Sequence, residues 1–256
     1  MKLLKILGGL VLLLVIALFV VGFFIDGIAK TAIETAGTEA LGVPTRVGSC
    51  HLGLLRGTFK LEDLTIDNPE GFGDDPFLTL GEGKVAVSPG SLREPVVELP
   101  ELTLDRVGLS MVQHLKGSNY GTILDNLKRY QGTSSSEEGE GTRYIIRTLR
   151  LTDVNVRVVP EPKLGLAAMD LPIGTIELKD VGSESDKGVL LADLAGIVIQ
   201  AILGKASSTG KLPSVIQGAL GGQLDGLKQG VEQEVKRQID DATKGVKDRL
   251  KGLIGR

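Results

Sequence analysis

Leu149–Val158 reads LRLTDVNVRV, and the fold turns on how this stretch is read. Leu149 and Leu151 alternate with polar residues, as expected where successive strand side chains point to opposite faces. At Thr152-Asp153 the alternation slips by one residue, and Val154, Val156 and Val158 carry it on. Two residues between apolar positions predict a bulge or a bend. The phrase recurs as FKLEDLTID at Phe59–Asp67, VELPELTLD at Val97–Asp105 and, in part, IELKDV at Ile176–Val181. In each copy apolar residues at i and i+2 are followed by one at i+5. The residue before that third position is Asp63, Glu101, Asp153 or Asp180. Four copies predict one sheet of repeated β units, spaced too irregularly for a strict solenoid.

A chain of 256 residues is long enough for one sizeable domain with appendages. It is 42% hydrophobic but only 4% aromatic and has no Trp, so Val, Leu and Ile carry the packing. The 35 glycines fit many turns and bends. A net charge of −3 argues against a nucleic-acid partner, which calls for a basic surface. Cys50 is the single cysteine, so no intrachain disulfide can form.

Ile6–Ile25 is twenty residues without a charge, enough for a transmembrane helix, with Lys2 and Lys5 before it and Asp26 after it. The charge asymmetry places the N-terminus in the cytoplasm and the rest of the chain across the membrane. Gly27-Ile28-Ala29 could serve as a cleavage site, but the run is longer than a signal-peptide core, which favours an uncleaved anchor. Asp26–Leu41 continues as a helix with Ile28, Ala32 and Ala36 at helical spacing, ended by Gly42, Val43 and Pro44. Strands are expected from Thr45, with Leu78, Leu80, Val85 and Val87 as further alternating pairs and Leu109 and Met111 extending the second copy. Ser118-Asn119 caps a helix over Tyr120–Tyr130, and Gln131–Thr142, without an apolar residue, reads as a loop. Leu164, Leu166 and Ala168 continue the strand alternation. Val189–Leu203 is apolar but short and interrupted by Asp193 and Gln200, so it reads as a covering helix rather than a span, with a linker over Lys205–Pro213.

Val215–Arg256 is helical in pattern, with apolar residues from Leu220 to Leu253 at a mean spacing of about 3.67, the eleven-residue period. Its glycines weaken it, so it would be stabilised by lipid, by the sheet or by a second copy. The expected fold is α+β. An N-terminal transmembrane helix leads into a curled, mostly antiparallel, groove-like sheet with packing helices, and a C-terminal amphipathic helix follows. The expected segments are an anchor over 1–25, a linker helix over 26–44, the β-groove domain over 45–181, a covering helix and linker over 182–212, and the amphipathic helix over 213–256.

Catalytic chemistry has little to stand on. Cys50 and His51 are adjacent, but strand neighbours face opposite ways and could not easily pair. His51 and His114 are the only histidines, without ligand spacing around them, so neither a metal nor a cofactor is expected. The four acids of the phrase would form a row if the copies lie in register, and read as solvated carboxylates at a bend. Gly218–Gly222 lacks the strand and the Gly-Lys-Ser/Thr ending of a phosphate loop.

The anchor, the short helix, LGVPTRVG at Leu41–Gly48, FKLEDLTIDNPEGF at Phe59–Phe72 and GSNYGTILDNL at Gly117–Leu127 together resemble the AsmA-like proteins of bacterial envelopes. The resemblance covers roughly Leu3 to Val181. It implies a repeating β-groove with an apolar concave face, linked to phospholipid transport or envelope organisation, and no catalytic residues. It also implies a single-pass protein of the bacterial inner membrane with its bulk in the periplasm and phospholipid acyl chains as ligand. The groove candidates are Phe59, Leu61, Leu64, Ile66, Val97, Leu99, Leu102, Leu104, Leu149, Leu151, Val154, Val156, Ile176 and Leu178. The alternative is an ordinary core, with the helices at Tyr120–Tyr130 and Val189–Leu203 packed on the same face. The chain is shorter than the large members of that family. About ten strands would make a trough of roughly 50 Å, too short to link widely separated membranes. A non-catalytic assembly protein that lies on the membrane or self-associates through 213–256 is the competing function.

Overall fold

The slip in the alternating pattern is a backbone event. Asp63, Arg106 and Asp153 adopt left-handed conformations with φ of 52°, 55° and 49°. The computed structural model in which they are seen describes residues 24–53, 57–87, 91, 94–134, 142–183, 188–214, 216–218 and 220. Seven strands form one curled, mostly antiparallel sheet: β1 (Thr45–Gly53), β2 (Thr58–Ile66), β3 (Leu78–Ala86), β4 (Val96–His114), β5 (Gly117–Ser118), β6 (Arg143–Val159) and β7 (Met169–Val181). The order is β1-β2-β3-β4-β6-β7, with β5 paired to β4, and only β4 and β6 run parallel. That parallel pair requires a crossover, which the helix α2 (Asn119–Ser134) supplies. Helix α1 spans residues 24–41 and α3 spans Leu191–Ser208.

The left-handed residues fall on one line across the sheet. Val47 faces Leu64 and Ser49 faces Glu62, so Gly48 lies opposite Asp63. The same count sets Asp63 opposite Gly81 and Gly81 opposite Arg106. The β6 member is Asp153, where the pairing with β7 shifts beside Gly174. Because neighbouring strands slip together, most of the ladder keeps its register while every strand changes face. Gly48 is required here: a Cβ would lie 2.8 Å from Asp63 Cβ and 3.1 Å from the Glu62 carbonyl oxygen. A left-handed non-glycine residue costs about 1–2 kcal/mol, so three cost at most ~6. The slip turns Val47, Leu64, Leu80, Val107 and Val154 inward, and at about 2 kcal/mol for each of the four that are fully buried the gain of roughly 8 exceeds the strain.

The result is a two-faced sheet. On the inner face the four registered rows that include β1–β3 are almost wholly apolar, and β4, β6 and β7 carry a further buried row beyond them, Leu99–Ile146–Val181. From the top the four are Thr45–Ile66–Leu78–Leu109–Val156–Leu171, then Val47–Leu64–Leu80–Val107–Val154, then Cys50–Leu61–Gly83–Leu104–Leu151–Ile176, then Leu52–Phe59–Val85–Leu102–Leu149–Leu178. The outer face is ionic. Lys60 pairs with Glu62 at 2.5 Å and Glu82 at 2.9 Å, and Arg150 with Glu177 at 3.1 Å and Glu101 at 3.4 Å.

Several expectations change. Glu101 is not on the line with Asp63. It is regularly paired with Ala86 and Thr148, and the β4 member of the line is Arg106. Asp180, with φ 51°, belongs to a second slip shared by Leu99–Leu102, Ile146–Leu149 and Leu178–Val181. The four acids therefore form no single row. Residues 131–134 are helical rather than loop, because α2 runs on to Ser134. Pro162–Leu164 is a 3₁₀ turn closed by Gly165 with φ 66°, so Leu164, Leu166 and Ala168 are not strand. Helix α3 continues through Ser208 into the segment read as linker. Six strands on the main path give a width of ~24 Å rather than roughly 50 Å.

Among the described residues no helix is long and apolar enough to cross a membrane, and the proposed anchor over Ile6–Ile25 lies outside them except for residues 24 and 25, which are helical. The chain divides into a unit of residues 1–206 and a second from Ser207. In the second, Leu212, Ile216 and Leu220 are buried, and most of the expected 213–256 helix lies outside the described residues.

Candidate functional site

The inner face is sealed at its top. Ser118 Oγ accepts from Gly121 N at 3.1 Å and starts α2, so the expected cap forms. Asn119, fully buried, locks that start to the sheet. Its Oδ1 accepts from Val112 N at 2.9 Å, and its Nδ2 donates to Ser110 O and to Asn68 Oδ1, both at 2.7 Å. Tyr120, Ile123, Leu124 and Leu127 of α2 are buried, as is Phe77 where the chain enters β3. The top row matches this closure: Leu109 is 2% exposed and Val156 0%. Asn126 Nδ2 also donates to Leu41 O at 2.6 Å, tying α2 to the end of α1.

The bottom row differs. Leu52, Phe59, Val85, Leu102 and Leu178 are only half-buried, and Leu149 alone is fully buried. Of the fourteen groove candidates, Leu61, Ile66, Val97, Leu99, Leu149, Leu151, Val154, Val156 and Ile176 are buried core. Phe59, Leu64, Leu102, Leu104 and Leu178 remain half-buried. Four of the five half-buried candidates, Phe59, Leu64, Leu102 and Leu104, lie on β2 and β4, whereas Leu149, Leu151 and Ile176 of the lower rows and Leu99, Ile146 and Val181 beyond them are buried, so the ordinary-core reading holds for the top row and for the β6 side. Leu52 and Val85 complete the bottom row and were not among the candidates, because only the strand register aligns them with Phe59 and Leu102.

Helix α1 lies along the β1 edge with its polar side inward. Asp26, Lys30, Glu34 and Thr38 each bond the β1 backbone, which blunts an edge strand that could otherwise pair with another chain. Its outward side carries Phe24, Gly27, Ile28, Thr31, Ala32, Thr35, Ala36 and Glu39 around a shallow open depression. The other edge, β7, carries Pro172, a left-handed Gly174 and exposed Asp170, Glu177 and Lys179, each of which discourages pairing.

Cys50 lies in an inner row, where burial pushes its thiol above the ordinary range. His51 points to the outer side and its Nδ1 stands 3.1 Å from Asp26 Oδ2. The two are on opposite faces, as strand geometry requires, and do not form a dyad. Among the described residues no group of three or more His, Cys, Asp or Glu side chains could hold a metal ion. No family model, curated protein or solved structure matches this chain.

Proposed function

We propose that the protein is a membrane-anchored lipid-binding module whose bottom row, Leu52–Phe59–Val85–Leu102–Leu178, takes phospholipid acyl chains in transport or envelope organisation. The observation that carries this reading is a half-exposed apolar patch on the β1–β4 side of the lower inner face, formed by Leu52, Phe59, Val85, Leu102 and Leu104, beside β6 positions of the same rows that are fully buried. Each CH₂ laid on such a surface gains about 0.8 kcal/mol, while a headgroup at the rim stays wet. The outer face, covered with ion pairs, has no comparable affinity for a tail. The uncharged run Ile6–Ile25 and its flanking charges support a single-pass anchor with the sheet on the periplasmic side of a bacterial inner membrane. The resemblance of Leu41–Gly48 and Phe59–Phe72 to AsmA-like proteins supports the same reading. The buried top row and β6 side of the face favour a second one, a non-catalytic assembly protein with a solid core.

The test is photolabelling of the full-length chain in nanodiscs containing a phospholipid with a diazirine on its acyl chain. Labelled peptides from Thr58–Ile66 and Val96–His114 are expected, and Leu102→Asp should remove most of that label. Label confined to the N-terminal run would overturn the acyl-chain site and leave the assembly reading.

A further inference from the structure

The polar side of α1 fixes which end of the sheet stands beside the N-terminal run. Asp26 Oδ1 accepts from Leu52 N at 2.8 Å, and Lys30 Nζ donates to Gly48 O at 3.2 Å. Glu34 Oε1 accepts from Val47 N at 2.9 Å, and Thr38 Oγ1 from Thr45 N at 3.0 Å. Side chains four apart lie on one side of a helix, so these four form a single stripe. The helix therefore climbs β1 from its bottom to its top, over ~18 Å between Asp26 and Thr38 at ~1.5 Å per residue.

The outward side is the reverse of an ordinary surface helix, which buries its apolar stripe and exposes the polar one. Phe24 and Ile28 are 66% and 67% exposed. Above them the outward side has only Thr31, Ala32, Thr35, Ala36 and Glu39. The large apolar side chains on this outward side are thus Phe24 and Ile28, next to the uncharged run. Residues 24 and 25, the last of the uncharged run Ile6–Ile25, are helical, so these positions adjoin that run in sequence.

We infer that the sheet stands on the bilayer with its half-buried bottom row toward the lipid and its α2-sealed top away from it. Phe24 and Ile28 lie in the membrane interface, and Asp26 at the surface holds Leu52, the first residue of the bottom row, next to it. A tail leaving the bilayer alongside α1 meets Leu52 and Phe59 after a short step through water. From the opposite orientation it would cross the length of the sheet exposed. The inference rests on the reading of Ile6–Ile25 as an anchor and of the bottom row as the acyl-chain site.

The test places a fluorophore on the full-length Cys50→Ala protein in nanodiscs that carry headgroup-nitroxide lipid. One probe site is Thr58→Cys, exposed at the bottom of β2, and the other is Glu70→Cys, exposed in the loop at its top. The Thr58 probe should be quenched several-fold more strongly than the Glu70 probe. Equal quenching, or stronger quenching at Glu70, overturns the orientation. Lys84→Cys and Asp74→Cys repeat the comparison from β3 and the same loop, should either first variant fail to fold. The photolabelling result stands apart from this one. Label on β2 and β4 with inverted quenching sinks the orientation alone, whereas the expected quenching without that label keeps the orientation and sinks the acyl-chain site.

Discussion

Along β2, Ile66 and Phe59 lie on the same face of the sheet, one near each end of the strand, yet Ile66 is buried and Phe59 only half so. The two rows they belong to are alike in registered pairing and in apolar character. The difference is in what lies above them. At the top, Asn119 and Ser118 hold the start of α2 against β4 with bonds to buried backbone groups, and Tyr120 and Phe77 fill the space. At the bottom, Leu52, Phe59, Val85 and Leu102 stay partly accessible, while Leu149, the β6 member of the same row, is fully buried. Pattern decides which face a residue takes, and what covers each part of that face decides whether it becomes core.

The sharpest way to break this comparison is to truncate one leucine in each row of β4. Leu109→Ala, at a 2% exposed position, should lose about 2–5 kcal/mol, transfer and cavity terms together. Leu102→Ala, half-buried, should lose roughly 1 kcal/mol, because solvent or lipid can occupy the vacated space. Urea unfolding of the two variants reads the difference directly in the midpoints. Equal losses would mean that the bottom row is as tightly packed as the top, and the acyl-chain site would lose its basis.

A smaller effect separates the two slips. Asp63 has φ 52°, whereas Glu101 is an ordinary strand residue. Asp63→Val should therefore cost about 1–2 kcal/mol, since a β-branched side chain is strained in the left-handed region. Asp63→Gly should stay close to wild type, and Glu101→Val should carry no such strain. Thermal unfolding of the three variants checks the order. A Glu101→Val loss matching that of Asp63→Val would mean that β4 also turns at Glu101.

How far the chain discloses this arrangement depends on whether the signal is local. The slips at Asp63 and Asp153 are legible because apolar spacing of three survives in one strand at a time. The slip at Arg106 has the same signature, Leu104 to Val107, but the neighbouring Leu99–Leu102 spacing claimed the phrase for Glu101. Arginine has no preference for the left-handed region that would have flagged it, and the room for it comes from Gly81 on another strand, where a Cβ would lie 2.8 Å from Arg106 Nη2. The bottom row was only partly visible, since Leu52 and Val85 join Phe59 and Leu102 through register alone. The side of α1 that meets the sheet was hidden for a similar reason. Ile28, Ala32 and Ala36 give the helical period, but the β1 backbone groups that select the polar side lie up to 26 residues away.

The outer face supplies the smallest effect and the clearest sign. Glu82, opposite Glu62 on β2 and Asp105 on β4, bonds first to Lys84 and then to Lys60, which hold its carboxyl down at about 2 from an ordinary 4.5. Glu62 and Glu177 are lowered in the same way by Lys60 and Lys179. A carboxylate with a depressed folded value stabilises fully above its unfolded value and loses that contribution as pH falls through the folded one. The window for Glu82 is therefore from about 4.5 down to about 2. Wild type should exceed Glu82→Gln at neutral pH by a margin kept small by solvent, and the two stability curves should converge across that window. Added salt should shrink the neutral-pH margin. The bottom row's lipid label should not respond to this substitution, because Glu82 lies behind the sheet from Phe59 and Leu102. A Glu82→Gln protein that loses lipid label while its fold persists would mean that the ionic face, and not the apolar one, holds the ligand.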